Sequence, residues 1–193
     1  MRRIAFPLDG EVGPNHGSTW SIRRAETIGA VAVFACGVML HFVYDWSGGS
    51  RALAVFVPVN ESVWEHLKLV VVPMAGFGLV ETRWVADRRR LWWAKFTEVL
   101  ASASFIVAFF YTYTGALGVN SVVPVDVLSF FVAVVGGQWL SYRMITATGL
   151  PRVPRRVSVT GITLVLVAFG LLTFLPPHVP LFQEMGTGTY GPS

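Results

Sequence analysis

The chain has 193 residues, of which 53% are hydrophobic and only 13% are charged, and its formal net charge is +4. This composition is too apolar for an ordinary water-soluble domain. The basic residues are not interleaved with aromatic residues in the way that marks nucleic-acid-binding surfaces, which argues against RNA or DNA as a partner.

Long apolar runs recur along the chain, and a helix needs about 20 such residues to cross the roughly 30 Å hydrocarbon core of a bilayer. The runs predict an all-α bundle of five transmembrane helices, which makes the chain a multi-pass protein of the cell membrane surrounded by the lipid bilayer. The predicted spans are residues 27–44, 67–85, 92–113, 122–138 and 157–175. The transmembrane domain is therefore 27–175, preceded by a segment at 1–26 and followed by a tail at 176–193.

The distribution of basic residues predicts the orientation of the helices. All but Arg51 and Lys68 of the 15 Lys and Arg residues lie before the first helix, between the second and third, or between the fourth and fifth. Cytoplasmic segments of membrane proteins carry the excess of Lys and Arg. We therefore expect residues 1–26 to be cytoplasmic and residues 176–193 to be extracytoplasmic.

Small residues three and four apart along the first helix predict a side on which another helix packs closely. They are Ala25, Gly29, Ala32 and Cys36. This pattern does not distinguish packing within one chain from a homo-oligomer. The apolar run at 52–59 is too short to span and contains Pro58, so we interpret it as an interfacial or re-entrant segment.

Polar and ionisable residues concentrate at the predicted outer ends of the helices. They are His41, Tyr44 and Asp45 at the end of the first helix; Asn60, Glu61, Ser62, Glu65, His66 and Lys68 at the start of the second; Asp126 at the start of the fourth; and His178 and Tyr190 after the fifth. Imidazole and carboxylate groups are the usual ligands of zinc and also serve as general acids and bases.

One hypothesis from these residue types is a site for zinc or another divalent metal. The candidate ligands are His41, His66, His178 and Asp126, and Glu61 or Glu65 is the candidate general base. Asp45, four residues after His41, is placed to orient that imidazole.

A purely structural role explains some of the same polar residues. Ser62-Val63-Trp64-Glu65 fits the S-x-x-E capping box, in which both side chains satisfy free amides at a helix start. Asp126 similarly suits the first turn of a helix, where the dipole favours negative charge. Capping leaves His66 and Glu61 without a necessary role, so both interpretations stay open.

Glu98 lies about two turns inside the third helix, where an ionisable residue should face the bundle. Lys95, three residues earlier, is its expected partner, and Gln138 and Ser141 are candidates for the same polar cluster. A buried structural pair is favoured over a proton relay.

The tail combines a rigid Pro-rich part with a Gly-rich part and carries apolar anchors at Leu181, Phe182 and Tyr190. We expect it to fold back over the outer mouth of the bundle.

Two motifs resemble those of an uncharacterised family of small prokaryotic membrane proteins, a domain of unknown function. The first is P-V-N-E-S-V-W-E-H-L-K-L at 58–69, preceded by H-F-V-Y-D-W-S-G at 41–48. The second is P-P-H-V-P-L-F at 176–182 with G-T-G-T-Y-G at 186–191. The resemblance implies a membrane architecture with signature residues on the outer face, and it implies no activity.

Three functions are consistent with these observations. The first is a non-enzymatic membrane protein whose outer polar cluster binds a lipid headgroup, a small ligand or a partner protein. The second is a metal-dependent membrane-embedded hydrolase that uses the same cluster. A small transporter is the third, although Glu98 and Gln138 are few polar residues for a conduction path. Whether the protein is an enzyme is left open.

Overall fold

The computed structural model describes residues 19–151 and 153–192, so Arg2, Arg3 and Arg152 of the predicted basic segments lie outside the described residues. Six α-helices run through the described part of the chain. They are α1 (Thr19–Trp46), α2 (Val63–His66), α3 (Lys68–Glu81), α4 (Arg88–Leu117), α5 (Val123–Thr146) and α6 (Arg155–Phe174), with short 3-10 turns at Leu53–Val55 and Pro180–Phe182.

Five helical segments are long and apolar enough to cross a membrane, as predicted. They are α1, α2 with α3 as one stretch (Val63–Glu81), α4, α5 and α6. Helices α2 and α3 are separated only at Leu67, whose own dihedral angles are helical. The two ends of this bundle differ in sequence. We call the end where α6 meets the C-terminal tail the tail end, and the opposite end, which carries the Arg-rich connections, the arginine-rich end.

Several helices extend beyond the apolar runs that predicted them. Helix α1 begins at Thr19 and not at residue 27, because a helix can continue past the edge of its apolar stretch with charged residues such as Arg23 and Arg24 on its surface. Helix α4 begins at Arg88 because the Asp87 carboxylate caps it, accepting hydrogen bonds from the amides of Arg89 and Arg90 at 3.1 Å each.

Four of the long segments form a ring, in which α3 packs between α1 and α4, and α5 contacts α1 and α4 from the other side. Helix α6 lies outside the ring against α4 and the turn Leu53–Val55. The centre is apolar and includes Val33, Val70, Val71, Met74, Val99 and Val134. Many outward side chains are apolar and exposed, such as Leu128 at 60% and Leu164 at 62%, which suits a surface facing lipid.

Within the chain, the packed side of α1 includes only part of the predicted stripe of small residues. Ala25 and Gly29 are buried as expected, but Ala32 and Cys36 are exposed, and the stripe continues through Val33 and Gly37. A spacing of four residues keeps this stripe against α3 and α5, whereas the step to residue 32 turns away from them. At Gly37 the helix lies against the backbone of α3, since a Cβ there would lie 2.5 Å from the Leu69 carbonyl oxygen.

A buried ionic cluster joins the ring helices toward the arginine-rich end. The predicted pair of Lys95 with Glu98 is confirmed, at 2.6 Å between Nζ and Oε2. The same ammonium lies 2.7 Å from Glu81 and 3.4 Å from Glu26, neither of which was predicted. Gln138 accepts a hydrogen bond from Lys95 at 3.1 Å, in keeping with its predicted place in the cluster. Ser141, the other predicted member, donates to Glu26 at 2.7 Å.

Candidate functional site

The close approach of α1 to α3 brings two histidines together at the tail end. His41 lies one helical turn after Gly37, and His66 lies just before Leu69 beside the same contact. The two imidazole ring centroids are consequently 5.3 Å apart. Without a glycine at position 37 the helices could not approach closely enough to place these rings side by side.

Glu61 completes a group of three ligand-type side chains. Its Oε2 lies 3.3 Å from His66 Nε2 and its Oε1 lies 3.9 Å from His41 Nε2. One ligand atom from each residue falls within 4.8 Å of the other two, and this is the group with metal-ligand geometry among the described residues. Two ligands of a tetrahedral zinc ion, each at about 2.0–2.1 Å from it, are separated by roughly 3.3 Å. The separations in this group, 3.3 Å between Glu61 and His66 and at most 4.8 Å between any two ligand atoms, are comparable with that spacing.

Local hydrogen bonds position His66 and Glu61. His66 Nδ1 donates to the Ser62 carbonyl at 2.9 Å, which leaves Nε2 of the neutral ring as the electron-pair donor facing Glu61. When the imidazole is protonated, Nε2 instead donates to the Glu61 carboxylate, and this hydrogen bond lowers the pKa of Glu61 below its ordinary value. The pair is thus able either to share a proton or to bind a metal.

A cavity of about 380 Å³ adjoins the three side chains. Its lining is mostly apolar, with polar groups at the His41–Glu61–His66 wall and at Asp126 on α5. The remaining lining residues are Val38, Phe42, Val63, Leu69, Ile106, Phe110, Ser121, Val123, Val127, Ser129, Phe130 and Met185. This combination of an apolar cavity with a few convergent polar groups is typical of small-molecule binding sites.

Residues 17–192 match the model of a family of unknown function, DUF6512. The chain belongs to this family. No curated protein and no solved structure matches it. The family matches the expected domain of unknown function and brings no activity, so the function must be argued from the site itself.

Asp126 shares the cavity but is not one of the three grouped ligands. Its Oδ1 accepts a hydrogen bond from the Tyr113 hydroxyl, and its Oδ2 accepts one from Ser121 at 2.6 Å. These two hydroxyl donors hold the carboxylate on the α5 side of the cavity. Sequence reasoning identified Asp126 but missed both donors, because Tyr113 and Ser121 lie before the helix of Asp126, near the end of α4 and in the α4–α5 connection, and no helical spacing links them to it.

Two other predicted site residues lie elsewhere. His178 packs against Tyr190 within the tail, with ring centroids 4.7 Å apart, and is not part of the three-residue group. The expected orienting bond from Asp45 to His41 is not formed: His41 Nδ1 is buried without a hydrogen-bond partner among the described residues. Asp45 is exposed and Tyr44 is partly buried.

Glu65 points away from the cavity into a buried ion pair. Its carboxylate lies 2.6 Å from Lys68 Nζ and accepts a hydrogen bond from the Val59 amide at 3.1 Å. The capping box is therefore half formed, since Ser62 accepts from the Glu65 amide at 3.3 Å while the Glu65 side chain does not return the bond. Because the Glu65 carboxylate is occupied by these contacts, a structural role suits it better than that of a general base.

Lys68 anchors the segment at 52–59, for which an interfacial position was predicted. Its fully buried ammonium donates to the carbonyls of Ala54 at 2.7 Å and Val57 at 3.2 Å, and to the Thr173 hydroxyl on α6 at 2.6 Å. These bonds satisfy carbonyls of non-helical backbone and fix the chain that leads into Glu61.

The tail packs on the start of α2. Asn60 donates to the Gly191 carbonyl at 2.9 Å, and Phe182 lies against Trp64 with ring centroids 4.7 Å apart. Hydrogen bonds from the hydroxyls of Thr187 and Thr189 lower the pKa of Glu184, and the Glu61 backbone also lowers it. Met185, beside Glu184, contributes to the cavity lining.

Proposed function

We propose that this chain is a multi-pass membrane protein that binds a divalent metal ion, zinc in the first instance, through His41, Glu61 and His66. The metal would hold a ligand in the adjoining cavity. The observation that carries this proposal is the convergence of three ligand atoms within 4.8 Å of one another. The three residues come from two chain segments, so their meeting is not a product of helical spacing alone.

The coordination chemistry of zinc fits a ligand-binding role. Zinc sites with three protein ligands keep a fourth position for water or a bound molecule. Here that fourth position would face the cavity, since the cavity is lined by His41, Glu61 and His66 themselves.

The tail end is assigned to the extracytoplasmic side in this proposal. The Arg-rich connections lie at the opposite end of the bundle, and cytoplasmic segments carry the excess of basic residues. The site would then face the outside of the cell while still lying between transmembrane helices.

A metal-dependent hydrolase is the second candidate, favoured by the position of Asp126. Its carboxylate lies in the same cavity as the three ligands and retains lone pairs beyond the two hydrogen bonds that it accepts. If a metal ion occupied the three-residue site and activated a water molecule, Asp126 would be the candidate proton acceptor on the other side of the cavity. In this candidate function Glu61 is a ligand, and Asp126 takes the role that the sequence suggested for Glu61 or Glu65.

Elemental analysis of the detergent-purified protein, after incubation with zinc and removal of the excess, tests the metal site. We expect about one zinc per chain for the wild type. His66→Ala and His41→Ala should lose it, whereas His178→Ala is the matched control because that imidazole contacts Tyr190 instead.

A wild-type protein without bound zinc, or His66→Ala protein that retains it, would refute the proposed site. Circular dichroism of each variant must show the helical content of the wild type, so that loss of metal is not loss of fold. Asp126→Asn separates the two candidate functions. It should leave zinc binding intact in both cases, and it should abolish hydrolysis if the protein is a hydrolase.

A further inference from the structure

The cavity at the tail end is lined by Met185 of the tail and also reaches the side of the bundle. Four of its lining residues are also substantially exposed on the surface of the bundle: Val38 at 41% and Phe42 at 45% on α1, and Val123 at 70% and Val127 at 51% on α5. Because these side chains border both the cavity and the outside, the cavity reaches the surface between α1 and α5. We call this opening the slot.

The slot is confined to the tail-end half of the seam between α1 and α5. Farther from the tail end the two helices close on each other, since Phe34 stacks on Phe130 with ring centroids 5.2 Å apart and meets Phe131 edge-on at 5.6 Å. Gly37 packs directly against Phe130 at the same level. The slot therefore lies within the predicted membrane-spanning segments, next to the leaflet on the tail side.

Polarity changes with depth in the cavity. The polar groups of His41, Glu61 and His66 lie toward the tail end, whereas Leu69, Ile106 and Phe130 form an apolar floor. A molecule that fits this gradient has a polar head and an apolar body.

Size and charge narrow the ligand class further. At about 380 Å³ the cavity is near the lower end of ligand pockets, which span about 300–1,000 Å³, so it can enclose a headgroup and a few carbons of a chain. A divalent ion held by one carboxylate and two neutral imidazoles retains a net positive charge and favours an anionic ligand. The Asp126 carboxylate opposes such an anion, and the Tyr113 and Ser121 hydroxyls that donate to its two oxygens hold it on the α5 side of the cavity.

From these observations we infer that the ligand is a membrane phospholipid that enters sideways through the slot. Its anionic phosphate binds at the metal site, and its chains extend through the slot into the bilayer. This inference rests on the proposed metal site and adds the class of ligand and its route of entry.

Native mass spectrometry of the full chain tests the inference with phosphatidic acid as the probe, in the presence and absence of stoichiometric zinc. We expect one bound lipid with zinc and at least about tenfold less without it. Val127→Trp and Val38→Trp fill the slot from opposite sides, so they should keep zinc and lose lipid binding about tenfold. Leu164→Trp is the control, because Leu164 is exposed on α6 and does not line the cavity.

The outcomes distinguish this inference from the metal proposal. Absence of zinc from the wild type would overturn both. Zinc bound without any zinc-dependent lipid, or equal lipid binding by the wild type and both slot variants, would overturn the inference alone. Inorganic phosphate binding to zinc-loaded protein in preference to phosphatidic acid would show a soluble ligand entering from the tail end, and would also overturn it.

Discussion

Replacement of Lys68 by methionine should destabilise the protein strongly, because its ammonium is buried among four oxygens. Lys68 is fully buried and its Nζ lies 2.6–3.2 Å from the Glu65 carboxylate, the Thr173 hydroxyl and two backbone carbonyls. Methionine has nearly the same length but cannot donate a hydrogen bond. The substitution leaves an uncompensated buried carboxylate and removes the donor to the carbonyls of Ala54 and Val57.

Breaking a buried ion pair by removing one partner costs about 3–5 kcal/mol. For a chain of this length, that corresponds to a decrease of roughly 6–20 °C in the midpoint of thermal unfolding. The assay is thermal unfolding in one detergent, followed by circular dichroism. The control is Arg156→Met, which removes an exposed cation and should change the midpoint by little.

A second substitution tests whether the unpaired Glu65 carboxylate causes the loss of stability in the Lys68→Met variant. Glu65→Gln in the Lys68→Met background removes the uncompensated charge but keeps an oxygen for the Val59 amide, so the double variant should be more stable than the single one. If Lys68→Met unfolds at the wild-type temperature, the ammonium does not hold this end of the bundle together. If the double variant is no more stable than the single one, the unpaired carboxylate is not the source of the loss.

Three further predictions concern packing, the second ionic cluster and pH. Gly37→Ala should separate α1 from α3 and lower zinc binding, because its Cβ would lie 2.5 Å from a backbone oxygen. The control is Gly136→Ala, whose Cβ would meet nothing within 4 Å, so this variant should behave as the wild type in unfolding and zinc-binding assays. Lys95→Met should lower the unfolding midpoint by at least as much as Lys68→Met, because it leaves three buried carboxyl groups without their shared cation; an unchanged midpoint would contradict this explanation. The lowered pKa of Glu61 means that its stabilising contribution is present above the ordinary carboxyl pKa of about 4.3 and is lost as the pH falls through the pKa of the folded state. A Glu61→Gln variant should therefore lose less stability than the wild type as the pH is lowered into the acid range. Parallel curves of unfolding midpoint against pH for the two proteins would argue against the pairing with His66.

Local sequence features predicted the transmembrane-type helices well. The apolar runs identified five helices because run length and the scarcity of charge are properties of a single segment. The pair of Lys95 with Glu98 was also accessible, since a spacing of three residues places both side chains on one side of a helix. The same local reasoning grouped Ala32 and Cys36 with Ala25 and Gly29, but within the chain the first two are exposed, because several spacings of small residues fit a helix and only the neighbouring helices select one of them.

For the site, the sequence by itself identified His41, Glu61, His66 and Asp126 as candidates, together with a larger set that included Glu65 and His178. Only the tertiary structure separated these residues. It directed Glu65 toward Lys68 and His178 toward Tyr190, and it brought His41 and His66 together where Gly37 lets two helices approach. The physical reason is that a metal-ligand group depends on distances between atoms of separate segments, and those distances follow from how helices pack and not from the spacing of residues along the chain.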